Sequence, residues 1–173
     1  MTPQEQFESR FRPADGRTLI AGSFVVEGKE DRRARYRDVI GVDMQPGPGV
    51  DRVADLEVED DLSVGTFAHI ECISVLEHSR RPWLLAENLE RMLIPGGTIF
   101  VAIPWVWRRH AYPDDYFRVL PAGIPMLFPN IEWRELAYGA DRLYKPDEKI
   151  PVVKKGGHPY LARAESFGFG VRK

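Results

Sequence analysis

One cysteine, Cys72, stands in the 173 residues, so no disulfide forms within the chain. Its setting, Ile70-Glu71-Cys72-Ile73, reads as a buried strand, with the thiol an inert core group rather than a nucleophile. No apolar run approaches the length that crosses a bilayer. The opening Met1-Thr2-Pro3-Gln4-Glu5-Gln6 has neither the basic start nor the apolar stretch of a secretory signal. A cytoplasmic protein with no membrane association is expected. Neither sign of charge dominates: the formal net charge is −2, which gives no broad attraction to DNA, RNA or anionic lipid, so nucleic acid is not an expected partner. Lys154-Lys155-Gly156-Gly157 is basic but reads as a mobile turn, not a nucleic-acid footprint. No Gly-Lys-Ser/Thr run follows the first apolar strand, which excludes a Walker-type phosphate loop. No Gly-x-Gly-x-x-Gly is present, which argues against a nicotinamide dinucleotide. His69, His78, His110 and His158 are scattered, with no short pairing of His, Cys or carboxylate, so no metal site is expected.

What is present is an alternation of short apolar runs with amphipathic or charged stretches, the layout of an α/β sheet. Thr18–Gly22 reads as a first strand, Glu30 to Tyr36 as a charged helical turn, and Val39–Asp43 as a second strand ending in an acid. Val50 to Leu56 reads as a short third strand with Asp55 near its end, and Phe67 to Val75 as a fourth, central strand. Pro82 suits the first turn of a helix on which Leu85, Leu89 and Met92 share one face. On that wheel Glu87, Asn88, Glu90 and Arg91 face water. Pro95-Gly96-Gly97 stops the helix, and Thr98–Ile103 is a fifth strand closed by Pro104. Trp105 to Arg118 is aromatic, charged and irregular. Pro121 to Phe128 follows as a helix, then strands at Trp133 to Tyr138 and Ser166 to Val171. The whole is expected to be a single domain, residues 1–173, with an N-terminal extension over 1–16.

The order strand-acid, strand-acid, strand, helix-Pro-Gly-Gly-strand resembles the class I S-adenosylmethionine-dependent methyltransferases, in particular the group called methyltransferase type 11. Val39-Ile40-Gly41-Val42-Asp43 is similar to that family's second strand. Ile73-Ser74-Val75-Leu76-Glu77-His78 is similar to its segment after the fourth strand, and Leu89 to Gly97 to its passage into the fifth. His110-Ala111-Tyr112-Pro113-Asp114-Asp115-Tyr116-Phe117-Arg118 resembles a segment found after the fifth strand in some members. The resemblance covers most of residues 18 to 104. It departs from the family at Leu19-Ile20-Ala21-Gly22-Ser23-Phe24, where an apolar residue replaces the usual acid, leaving a degenerate glycine-rich first motif with Gly28 as a later small residue. The implied fold is a Rossmann-like three-layer α/β/α sandwich, a mostly parallel sheet of about seven strands with an antiparallel last strand. The implied activity is methyl transfer from S-adenosylmethionine to a small-molecule or protein acceptor. The strand-four ending lacks the Asp/Asn-Pro-Pro-Tyr/Phe segment of DNA amino-methyltransferases. The alternative is a non-catalytic binding or assembly module with an eroded cofactor site.

Cofactor-side candidates follow from that resemblance. Gly22 lets the backbone turn beneath a ligand, so that the N–H groups of Ser23 and Phe24 face its carboxylate. Asp43 accepts the ribose hydroxyls, and Met44 packs on adenine. Asp55 and Leu56 serve the adenine edge, or Asp55 belongs with Glu57, Glu59, Asp60 and Asp61 to a solvated acidic surface. Ser74, Val75 and His78 cross the rim after the fourth strand; His78 either orients a ligand or braces the following helix. On the substrate side, within an insertion over 105–130, His110 is the base or orienting group, Asp115 holds its ring, and Tyr116 completes the cluster. Asp114, Asp115 and Arg118 equally suit a local ion-paired turn, and Trp105, Trp107, Tyr112 and Tyr116 either wall the pocket or pack as core.

Overall fold

The computed structural model describes residues 1–58, 64–110, 114–140, 142–148, 154–155, 158–159 and 164–173. Tyr112 and the acids 59–61 lie outside the described residues. The strands are β1 (Thr18–Ala21), β2 (Val39–Asp43), β3 (Arg52–Val53), β4 (Phe67–Ile73), β5 (Leu93–Val106), β6 (Ile131–Gly139), β7 (Leu143–Tyr144), β8 (Lys154–Lys155), β9 (His158–Pro159) and β10 (Ala164–Arg172). The helices are α1 (Pro3–Glu8), α2 (Pro82–Met92) and α3 (Ile124–Leu127). Eight strands form one sheet in the order β3-β2-β1-β4-β5-β10-β6-β7, and β8 pairs with β9 separately. Strands β3 through β5 run parallel, whereas β10 lies antiparallel between β5 and β6. Lys154-Lys155 is thus a short strand paired with His158-Pro159, and Gly156-Gly157 lie outside the described residues. Among the described residues no helix is long and apolar enough to cross a membrane.

Strand alternation sorts the sheet into two faces. Leu19, Ala21, Cys72, Ile99, Val101 and Ile103 point one way and bury Leu85, Ala86, Leu89 and Met92 of α2. Phe100, Ala102, Phe167 and Phe169 point the other way and meet Phe7 of α1 and Phe11. Cys72 has no solvent exposure, and burial pushes its thiol well above the ordinary range. The helical layers are thin. Between β1 and β2 the chain makes only a 3-10 turn, Arg32–Arg35.

Several elements differ in extent from the pattern read in the sequence. β5 does not stop at Pro104 but continues to Val106, and the pairing with β10 shifts register between Ala164 and Glu165. A proline has no N–H to give to the ladder, and an irregularity absorbs that loss. At the other end of β5, Leu93 pairs with Phe67 and Thr98 with His69, so Ile94–Gly97 bulges outward, with Gly96 at φ +77°. The third strand shrinks to two residues because it lies at the sheet edge, where Val53 is exposed. Asn88 and Glu90 of α2 do not face water; both are buried. Asn88 Nδ2 donates to the Leu56 carbonyl (2.9 Å), and Glu90 accepts from the Asn130 N–H (2.8 Å) and Nδ2 (2.9 Å). These two polar side chains tie α2 to loops that a helical wheel does not contain.

The second face carries buried charge. Glu71, in mid-strand β4, is 3% exposed and takes a two-pronged grip from Arg32, with Arg32 Nη2 at 2.6 Å. The Tyr36 hydroxyl donates to the same carboxylate (2.6 Å), and Arg32 also reaches Glu8 of α1 (3.1 Å). Burial beside Glu71 raises the Tyr36 hydroxyl far above its usual range, so it stays protonated and able to donate.

His69, two residues before Glu71 on the same face, is 1% exposed, and its Nδ1 lies 2.9 Å from Thr98 Oγ1. Burial lowers its pKa from 6.5 to about 4. The unfolded chain therefore takes up this proton near pH 6.5 while the folded chain resists it to about pH 4. Stability is retained above pH 6.5 and falls as pH drops toward 4, by about 3 kcal/mol from this residue. Urea denaturation across that range, for wild type and His69→Gln, checks it: the variant should lose this part of the pH slope, and an unchanged slope would refute it.

Candidate functional site

Three parallel neighbours end side by side: β1 at Ala21, β2 at Asp43 and β4 at Ile73. The carboxyl edge of an open α/β sheet is where ligands settle. Gly22 turns the chain after β1 at φ +67°, and a Cβ there would fall 2.4 Å from Val75 Cγ2. The missing side chain thus permits the left-handed turn and lets the segment after β4 close against it. Ser74 also sits at positive φ, +54°, which is costly for a non-glycine residue and is held by its N–H donating to the Ala102 carbonyl (2.8 Å). Gly22→Ala should lose about 1–3 kcal/mol in chemical denaturation from clash and dihedral strain together. Adding Val75→Ala should recover only the clash; full stability in the single variant would contradict this packing.

The Asp43 carboxylate organises the loop around it. Oδ2 accepts from the Phe24 N–H (3.1 Å) and Oδ1 from the Gln45 N–H (3.1 Å). Two carboxylate oxygens offer about four acceptor sites, so capacity remains. The Gly22 and Ser23 N–H groups both donate to the Val42 carbonyl (2.9 and 3.2 Å), and the Val25 N–H donates to that of Pro48 (2.8 Å). The amides of Ser23 and Phe24 are thus engaged within the rim itself. The Ser23 hydroxyl oxygen is buried without a hydrogen-bond partner among the described residues. Phe24 and Met44 remain 40% and 56% exposed, placing apolar surface beside Asp43. The Ala54 N–H donates to the Asp43 carbonyl (2.9 Å), which sets Asp55 next along the rim. Asp55 closes an Asx turn onto the Glu57 N–H (2.9 Å), and Leu56 is buried in the core.

A second group of polar side chains follows β4 on the same edge. Leu76–His78 makes a 3-10 turn, from which Glu77 points inward with a side chain of no exposure, and neither carboxylate oxygen has a hydrogen-bond partner among the described residues. Burial raises the Glu77 pKa to about 8. His78 Nδ1 meets the Asp114 carbonyl (2.7 Å), and its ring stands edge-on to His110 at 4.7 Å between centroids. His110 Nδ1 lies 3.0 Å from Asp115 Oδ2. Asp115 is in turn held by both Arg118 guanidinium nitrogens, which keep its carboxyl well below the usual range. Asp114 pairs with Arg109 (2.7 Å), and Asp115 also accepts from the His110 backbone N–H (2.9 Å), so the segment folds as an ion-paired turn. Tyr116 anchors the segment by donating its N–H to the Glu77 carbonyl (2.7 Å), and Arg80 Nε donates to its hydroxyl (3.2 Å). Trp107, Arg109, Asp115, Tyr116, Phe117 and Arg118 line a shallow cleft of about 250 Å³. Trp105 packs edge-on against Tyr138 (5.3 Å) with its Nε1 buried and without a partner among the described residues.

Sequence reading alone does not single out Glu77 as a site residue or Glu71 as the centre of a buried network. The available signal was the same for both: a carboxylate set inside an otherwise apolar strand or strand-end run.

No protein-family model matches the chain, and no curated protein sequence matches it. Solved structures do. A chain from the Haloferax volcanii complex between the Trm112 methyltransferase activator and a methyltransferase matches at TM-score 0.66 and 17% identity, over 98% of this chain and 88% of that one. An S-adenosylmethionine-dependent methyltransferase from Anabaena variabilis matches at TM-score 0.63 and 14% identity, over 98% and 82%. The N-methyltransferase NodS from Bradyrhizobium japonicum, solved with S-adenosylhomocysteine, matches at 0.59 and 12%, over 91% and 78%. At such identities the likeness establishes architecture, and the architecture is the Rossmann-like fold of the class I S-adenosylmethionine-dependent methyltransferases.

Proposed function

We propose that this chain binds S-adenosylmethionine at the β2-β1-β4 rim and transfers its methyl group to a small-molecule or protein acceptor. The supporting observation is the convergence of Gly22, Asp43 and Ser74-Val75 at the ends of three adjacent parallel strands. These residues fit the cofactor in kind. Gly22 gives close backbone approach, the spare acceptor sites of Asp43 suit ribose hydroxyls, and the exposed faces of Phe24 and Met44 suit a purine. When bound, the cofactor supplies an electrophilic methyl group on a cationic sulfur.

For such a displacement the protein mainly aligns the acceptor and excludes water. His110, with Asp115 Oδ2 3.0 Å from its ring Nδ1, is the orienting group facing the acceptor, and Tyr116 with Trp107 walls the cleft beside it. The chain works as one domain, with the 105–130 segment as its acceptor side. Thermal-shift assays with S-adenosylmethionine, S-adenosylhomocysteine and NAD test the reading. Stabilisation by the first two and not the third is expected. Failure of both to stabilise would favour the non-catalytic alternative, in which the rim serves only its own internal hydrogen bonds.

A further inference from the structure

We infer that Glu77, His78 and His110 form a binding site for a divalent transition-metal ion. One ligand atom from each lies within 4.8 Å of the other two. An ion with metal–ligand bonds of about 2.1 Å wants its ligands roughly 3.3 Å apart, so a contraction of about an ångström, within side-chain reach, closes the cluster.

Three independent features make this more than proximity. First, the Glu77 carboxylate is fully buried and finds no hydrogen-bond partner among the described residues, although a buried carboxylate ordinarily has partners. It faces the His78 ring, with Oε1 3.7 Å from Nε2. Second, both imidazoles are held by their other nitrogen. His78 Nδ1–H donates to the Asp114 carbonyl (2.7 Å), and His110 Nδ1–H donates to the Arg108 carbonyl (3.4 Å). Each tautomer is thereby fixed with the Nε2 lone pair free, the arrangement by which carbonyl or carboxylate partners orient metal-binding histidines. Third, Asp115, locked by Arg118, accepts from the His110 backbone N–H (2.9 Å) and so pins the residue that carries the ring.

Two imidazoles and one carboxylate select a borderline first-row cation such as Zn²⁺, Co²⁺, Mn²⁺ or Fe²⁺ over Ca²⁺ or Mg²⁺, which prefer all-oxygen sites. Three protein ligands leave positions open for water or an oxygen-bearing ligand. The histidines looked scattered in the sequence because α2 and β5 intervene between His78 and His110. The site rests on these side chains alone and not on the cofactor reading, so either stands if the other fails.

The test is titration of the chelator-stripped, full-length protein with Co²⁺, followed by visible d–d absorption, with Zn²⁺ as competitor. One equivalent should bind and be displaced by Zn²⁺. His110→Ala and Glu77→Gln should each weaken binding roughly tenfold or more, and Asp115→Asn, acting through His110, about tenfold. His69→Gln, outside the cluster, should bind as wild type does. His110 is partly exposed, so its alanine variant should keep the wild-type circular dichroism spectrum. Absence of saturable Co²⁺ absorption up to millimolar metal, or equal affinity in folded His110→Ala and wild type, overturns the site.

Discussion

Asp43→Ala should weaken S-adenosylhomocysteine binding by roughly 10- to 150-fold, the loss of about 1.5–3 kcal/mol expected when hydrogen bonds to a charged acceptor disappear. Isothermal titration is the measurement. Asp43 also holds the Phe24 and Gln45 N–H groups, so the alanine variant loses some rim stability as well. Asp43→Asn separates the two effects. It keeps one carbonyl oxygen for the loop but brings an N–H₂ donor toward the ribose hydroxyls. It should therefore fold with near wild-type stability and still bind the nucleoside weakly. Wild-type affinity in both variants would move the binding site away from β2.

Glu71→Leu should cost about 3 kcal/mol of stability, because it strands Arg32 on a buried face with only Glu8 in reach. A domain of this size should melt roughly 6–12 °C lower. The companion change Arg32→Met is the informative control. Removing both charges together replaces an ion pair with apolar surface, which is commonly neutral or better, so the double variant should regain most of the loss. If the single variant melts with wild type, the Glu71-Arg32-Tyr36 cluster contributes no stability and that face of β4 is covered some other way. Urea denaturation of the two variants against wild type reads both outcomes.

The parts of the fold legible in the sequence are those where local pattern and tertiary burial agree. β2 begins and ends where the Val39–Asp43 run does, and α2 spans from Pro82 to Met92 because its proline start and one-face leucines fit a single helix packed on one sheet face. The meeting of Gly22 and Asp43 at one rim of the sheet was readable for a similar reason. Gly22 and Asp43 each terminate a strand, and parallel neighbours must end at the same edge.

The rest was hidden by long-range contacts. Asn88 and Glu90 look like surface residues on a helical wheel, yet they bond to Leu56 and Asn130 in loops far off in the chain. Glu71 breaks an apolar strand pattern, and only the arrival of Arg32 and Tyr36 from the β1–β2 connection explains how it stays buried. The Glu77-His78-His110 cluster was the least visible. His110 lies in an irregular stretch with no periodicity to place it, and its approach to His78 depends on where Asp114 and Tyr116 bond.

Amide-resolved NMR of the protein titrated with S-adenosylhomocysteine tests the rim most directly. Saturable shifts should appear first and largest at Gly22, Ser23, Phe24, Asp43, Met44, Ser74 and Val75. No saturable shift, or shifts gathered on the Phe7 and Phe11 face instead, would contradict a nucleoside site at the ends of β1, β2 and β4.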